Sequence, residues 1–283
     1  MDRDLEIVRE LRELADPRTT EPIQFQNLLT GSLYLPLYRL ARRHARPGMS
    51  VLDWGSGNGH FSYFLLRAGL NVMAFNLSSH KNPLEDLLKT RFAGRYRMTY
   101  GDASDPVTLP FADQSFEMVC SIGVLEHVRE TGGDEVASLE ELGRVLKPGG
   151  HFLCGMLPKK YSWIEFLVRN FSRGKHHHVY RYTERDIHAM LKRAGFELVE
   201  LGTHGFLPRT TFNRTALAGV TNRVPVATLF NLTDRALARS LPAVAQNFML
   251  CASKMPPEPH RRAERTPALV AEAGLPRSAS RSP

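Results

Sequence analysis

Residues 51–61, VLDWGSGNGHF, decide the fold. The apolar run SVLDW (50–54) reads as a buried strand, Gly55, Gly57 and Gly59 as a turn, and the residues from His60 as a helix opening. Glycines at a strand-to-helix turn let the backbone approach a ligand closely, and a helix start offers unpaired N–H groups. In a doubly wound sheet the carboxyl end of the first strand is where ligands sit. The spacing is G-x-G-x-G rather than the dinucleotide G-x-G-x-x-G, which disfavours a nicotinamide dehydrogenase.

Outward from this turn the chain alternates. NVMAF (71–75), YRMTY (96–100), FEMVCSI (116–122), GHFLCGM (150–156), FELVEL (196–201) and QNFMLCAS (246–253) read as further strands. Helical patterns lie between most of them, including HFSYFLLRAG, PLEDLLKTRFA, EVASLEELGRVLK and TERDIHAMLKRAG. RAG, LKPGG and KRAG supply glycine near a basic residue, which is a helix-stop signal. The expected fold is α/β: a doubly wound, mostly parallel seven-stranded sheet covered on both faces, with N-terminal helices. Leu5, Val8, Leu11 and Leu14 recur at helical spacing before Asp16-Pro17, and 31–45 forms a second helical stretch.

Composition narrows the class. The chain has 283 residues, 42% hydrophobic and 23% charged, enough for one large domain with extensions. No run of 18 apolar residues occurs, and MDRDLEIVRELREL lacks the apolar centre of a signal peptide, so a cytoplasmic protein without a transmembrane segment is expected. Cys120, Cys154 and Cys251 each sit in apolar surroundings and read as buried thiols. The net charge is +8, and the stretch from Lys254 onward holds six Lys/Arg against three Asp/Glu. The remaining excess is mild and does not call for a nucleic-acid partner. Residues 256–283, rich in Pro, Arg, Ser and Ala, read as a disordered basic tail.

VLDWGSGNGHF resembles the first motif of the class I S-adenosylmethionine-dependent methyltransferases, usually VLDxGxGxG. YGDASDPVTLPFADQSFEMVCSIGVLEHV, ELGRVLKPGGHFLCGMLP and YRYTERDIHAMLKRAGFELVEL resemble its later segments in order, so the likeness runs over roughly residues 48–202. It is nearest the small-molecule branch often called type 11. The resemblance implies an S-adenosyl-L-methionine cofactor. Gly55, Ser56 and Gly57 would line its methionine end, and Asp53 would orient the turn or receive the amine. Asp102 would accept from the adenine amino group, with Ala103 giving backbone contact and Ile122 and Leu77 packing on the ring.

Asn76 falls where the family carries an Asp or Glu for the ribose. An amide can still engage one hydroxyl as acceptor and the other as donor, at a cost of about 1–2 kcal/mol in lost charge-assisted bonding. On this reading binding persists but is loosened, and Asn76→Asp tightens it.

Methyl transfer needs an in-line nucleophile, and a base where the acceptor is a hydroxyl. The candidate bases are His127 and the cluster Lys175-His176-His177-His178 with Tyr180 and Tyr182; Glu126 is expected to hold its loop. Some quinone-biosynthetic O-methyltransferases resembling this branch bind a divalent ion through an E..EH segment. Here Gly123 replaces the first glutamate, so no metal site is expected. Tyr161, Trp163, Phe166 and Phe171 are expected in a core or lid. The expected layout is an N-terminal helical cap (1–47) and a methyltransferase domain (48–255) with substrate-facing insertions at 157–182 and 203–245. The expected activity is methyl transfer to a small-molecule acceptor, at oxygen. The alternatives are a cofactor-binding regulatory protein that lost catalysis and, behind it, an RNA methyltransferase.

Overall fold

The structure, a computed structural model, describes residues 3–14, 25–77, 82–171, 177–209 and 218–256. The basic tail lies outside these residues, apart from its first position, and so does the Asp16-Pro17 helix stop.

Seven strands, β1 (Ser50–Trp54), β2 (Asn71–Leu77), β3 (Tyr96–Gly101), β4 (Phe116–Ile122), β5 (Leu146–Pro158), β6 (Phe196–His204) and β7 (Asn247–Lys254), form one sheet. Their order is β3-β2-β1-β4-β5-β7-β6. β7 runs antiparallel between β5 and β6, while the other pairings are parallel. The expected seven-stranded, mostly parallel sheet is therefore present.

Alternation along the strands divides the core in two, because successive strand side chains point to opposite faces. Val51, Cys120, Leu153 and Cys251 join one buried cluster, and their neighbours Leu52, Val119, Phe152 and Ala252 join the other. The first cluster is covered by α1 (Arg3–Leu14), α3 (Leu35–His44), α4 (His60–Arg67), α5 (Glu85–Arg91) and α10 (Val224–Ser240). The second is covered by α6 (Glu135–Val145) and α8 (Glu184–Arg193). Two short helices, α2 (Leu28–Gly31) and α9 (Ala218–Thr221), and the amphipathic α7 (Trp163–Phe171) complete the set. All three cysteines are buried and unpaired.

α6 and α8 show how local sequence sets the elements. Asp134 caps α6 by accepting from the N–H groups of Val136 and Ala137, and Thr183 with Asp186 forms a reciprocal capping box on α8. LKPGG, read as a helix stop, is also the start of a strand. α6 ends at Val145, and β5 begins at once with Leu146 paired to Phe116. Pro148 bars a helical Lys147, and the pairing takes up three extra residues of β5 as a register shift between Phe116 and Met118.

Candidate functional site

The strand order reverses between β1 and β4, so the chain leaves these neighbouring strands in different directions and opens a crevice at their carboxyl ends. A cleft of about 430 Å3 lies there. Gly55, Ser56, Gly57, Asn58 and His60 form one wall, and Ile122, Gly123, Glu126, His127 and His178 form another.

The glycine turn is hooked onto the end of β2. The Gly55 and Ser56 N–H groups both donate to the Phe75 carbonyl, at 2.9 and 3.0 Å. Gly55 adopts φ +70, and a Cβ there would stand 2.5 Å from Cγ2 of Val124 in the loop after β4. Only glycine brings the two loops that close together. A Cβ on Gly57 would meet nothing nearer than the Gly55 carbonyl, 3.9 Å away. The turn therefore leaves room above its backbone, as a cofactor lying on it requires.

Asp53 lies beneath this turn, 1% exposed, where Oδ2 accepts from the Ser62 hydroxyl at 2.6 Å. Burial raises its carboxyl to about 6, against the lowering effect of Ser62. That bond ties the end of β1 to α4, and Asp53 does not line the cleft. Asn76, at the end of β2, lies against the glycine turn. It is 3% exposed, its Oδ1 accepts from Gly57 N (2.9 Å) and Ser56 Oγ (3.2 Å), and its Nδ2 donates to the Gly57 carbonyl (3.2 Å). The amide is thus bonded to the glycine turn on both sides.

Leu77 and Gly55 line a smaller crevice of about 90 Å3 that also reaches His127. Ile122 lines the main cleft. Asp102 and Ala103 are exposed after β3, and Asp102 Oδ1 accepts from Ser104 N at 2.8 Å, a bond that lowers its pKa.

Opposite the turn the fold gathers titratable groups that sequence reading left scattered. His127 is part-exposed, and its Nδ1 lies 3.0 Å from Glu130 Oε2. Glu126 is 2% exposed with Oε2 unpartnered, and burial raises its carboxyl to about 7. His178 arrives from the segment after α7, its Nδ1 2.7 Å from Glu165 Oε1. Burial alone would lower the His178 pKa, but the Glu165 hydrogen bond and nearby carboxylates raise it. Glu126, His127 and His178 offer ligand-type atoms within 4.8 Å of one another, a spacing that a divalent cation can bridge. A third donor thus stands near the position where Gly123 offers none.

The remaining expected polar groups disperse. Lys175 and His176 lie outside the described residues, and His177 is exposed. Tyr182 donates to buried Glu135 at 2.8 Å, and Tyr180 packs under Arg129. Trp163 donates to the Phe206 carbonyl, but Tyr161, Phe166 and Phe171 are exposed, so the core expectation fails for them. α7 buries none of its residues among the described ones, because its apolar stripe faces outward rather than onto the sheet.

Two cleft residues had no sequence signal. His60 at the start of α4 is half-buried with both ring nitrogens out of solvent and unpartnered, and burial lowers its pKa to about 4. Tyr34 packs edge-on against it, with ring centroids 4.6 Å apart. Only the folding of 25–34 across the glycine turn brings them together.

A family profile described as a methyltransferase domain matches residues 32–201. The ubiquinone biosynthesis O-methyltransferase of Cereibacter sphaeroides (strain KD131 / KCTC 12085) is 28% identical over 162 residues, 54% of this chain and 62% of that protein. The demethylmenaquinone methyltransferase of Corynebacterium kroppenstedtii is 35% identical over 127 residues, 44% of this chain and 49% of that protein. The chain thus spans less than two thirds of the length of these relatives. The Burkholderia thailandensis 1,6-didemethyltoxoflavin-N1-methyltransferase superposes with a TM-score of 0.54 at 17% identity, covering 90% of this chain and 89% of that one, a likeness of fold. With the profile running over more than half of its length, and with a glycine turn and cleft at the switch point of the seven-stranded sheet, the chain belongs to the class I S-adenosylmethionine-dependent methyltransferases.

Proposed function

We propose that the chain transfers a methyl group from S-adenosylmethionine to a hydroxyl oxygen of a small aromatic acceptor. The observation that carries this reading is a single cleft with the glycine turn on one wall and buried Glu126, its Oε2 unpartnered, on the other. When bound, the sulfonium supplies an electrophilic methyl carbon. The backbone of Gly55–Gly57 would hold it, with Leu77 and Ile122 beside the adenine and Asp102 as acceptor for its amino group. The chain's own part would be to hold the acceptor hydroxyl in line with that carbon and to supply a base that takes up its proton.

Glu126 fits that base better than His127. A carboxyl held at about 7 is substantially ionised at neutral pH and still basic enough to take a proton. His127 and His178 then orient the acceptor at the rim. Tyr34, His60 and Met156 give the cleft an aromatic and apolar side suited to a flat ring. The name of one relative, a ubiquinone biosynthesis O-methyltransferase, favours an oxygen acceptor.

Transfer of labelled methyl from S-adenosylmethionine to a panel of ortho-dihydroxybenzenes tests the reading. Glu126→Gln should lower kcat by about 10²–10⁴ with S-adenosylhomocysteine affinity unchanged. Absence of S-adenosylhomocysteine binding would defeat the cofactor assignment. Binding without transfer to any hydroxyl would defeat the acceptor class alone.

A further inference from the structure

A second cavity, of about 340 Å3, lies between α3, α10 and the edge strand β6, and shares no lining residue with the methyl-transfer cleft. Its mouth is built from two arginine pairs. Arg39 and Arg43 stand one turn apart on α3, and Arg235 and Arg239 stand one turn apart on α10. Like charges at this helical spacing repel, and here two such pairs also face each other across the opening. Partial burial first, and then the nearby charges of Arg239, Arg39 and Arg43, lower the pKa of Arg235. With Arg209 the lining holds five guanidinium groups against two carboxylates, Glu200 and Asp234. Both carboxylates are engaged, Glu200 by Arg43 and Asp234 by Arg209.

The base of the cavity holds buried polar groups without partners. His204 is 3% exposed and neither ring nitrogen has a hydrogen bond. Nε of Arg209, 5% exposed, is also unpartnered, although its other nitrogens bind Leu29 O, Ser32 Oγ, Asn231 Oδ1 and Asp234 Oδ2. A buried donor or acceptor left unmatched costs free energy unless something enters to meet it. Between this base and the mouth the wall is apolar, made by Leu35, Pro36, Ala238 and Met249.

We propose that this cavity is a second ligand site, for an amphipathic anion. A phosphate or carboxylate headgroup lies among the four mouth arginines, and an apolar stem runs past Leu35 and Met249 to end in a hydroxyl or carbonyl that meets His204 and Arg209 Nε. An anion turns the repulsion between the arginine pairs into attraction, and planar guanidinium groups suit both headgroups. The volume holds a small molecule with a short stem. The site is next to the cleft through the backbone: Leu35 of this cavity follows Tyr34 of the cleft, and His204 pairs with Asn247, which also lines the cleft.

Calorimetry on the full chain tests this with n-octyl phosphate, n-octanoate, inorganic phosphate and uncharged n-octyl glucoside, all below micelle formation. The octyl anions should bind, inorganic phosphate more weakly, and octyl glucoside not at all. The double variant R235E/R239E should weaken octyl phosphate at least about tenfold, and higher salt should weaken it in the wild type. S-adenosylhomocysteine affinity and circular dichroism report whether that variant keeps its fold; if it does not, R235Q alone is read against the same ligands. Vesicles containing phosphatidylglycerol separate the sources. Co-sedimentation lost in R235E/R239E assigns a lipid headgroup, and no co-sedimentation assigns a soluble anion. Absence of binding by either octyl anion at about 1 mM, equal affinity in the folded variant, or equal binding of octyl glucoside would overturn the proposal.

Discussion

Asn76 gives the glycine turn something a carboxylate cannot, an N–H donor to the Gly57 carbonyl at 3.2 Å. In Asn76→Asp that donor becomes an oxygen facing another oxygen, so a bond is replaced by repulsion. The variant should lose about 1–2 kcal/mol of stability in urea unfolding, and its S-adenosylhomocysteine affinity should fall rather than rise. A clear tightening in calorimetry would instead return the side chain to the ribose, as the sequence resemblance implied. Glu126 makes a second residue-scale prediction. Its carboxyl is held at about 7, above the ordinary 4.5. A raised carboxyl pKa means that the native state binds the proton more tightly than the unfolded state does. Its contribution is therefore full below about 4.5 and is lost as pH rises through 7. Glu126→Gln, which mimics the protonated form, should match the wild type near pH 5 and exceed it at pH 8 by roughly 2–3 kcal/mol in urea unfolding. Equal stability at both pH values would show that Glu126 is not held protonated by the fold.

At the scale of elements, α3 lies on β5 through one glycine. A Cβ on Gly155 would stand 2.5 Å from Leu37 Cδ2 and 3.2 Å from Ile122 Cδ1. Leu37 is fully buried, and Ile122 lines the cleft. Gly155→Ala should cost about 1–3 kcal/mol by overpacking, and by displacing Ile122 it should also weaken S-adenosylhomocysteine binding. Unchanged thermal unfolding and affinity would mean that α3 slides freely over β5. The element pattern was largely legible in sequence, because strand alternation and the Thr183 and Asp134 caps are local signals. α7 was not. Its spacing showed an apolar stripe, but spacing says nothing about which neighbour covers the stripe, and Phe166 and Phe171 face outward. The start of β5 at Leu146 was also hidden, since pairing with Phe116 is a contact between residues far apart in the chain.

Across the whole molecule, Arg209 binds together pieces remote in sequence. Its guanidinium reaches Leu29 O and Ser32 Oγ near the N-terminus and Asn231 and Asp234 on α10. Asp234 in turn accepts from the N–H groups of Phe206 and Leu207. Arg209→Met leaves Asp234 buried without its charge partner and should cost about 3–5 kcal/mol, read as a lower denaturant midpoint. A variant with wild-type stability would show that this pair does not join the two regions. The N-terminal residues also take part in the main core, since Leu5, Val8 and Leu11 of α1 belong to the same cluster as β1 and β4.

By itself the sequence determined the strand-turn-helix at VLDWGSGNGHF, the count of seven strands and the family likeness. These rest on backbone needs and periodicity that act within a few residues. The tertiary structure alone decided that Asn76 faces the turn and that Glu126, His127 and His178 share one cleft. It also set two arginine pairs against each other over His204. Side-chain direction, burial and the pKa shifts that follow depend on which distant segments the sheet brings together, and no local pattern encodes that.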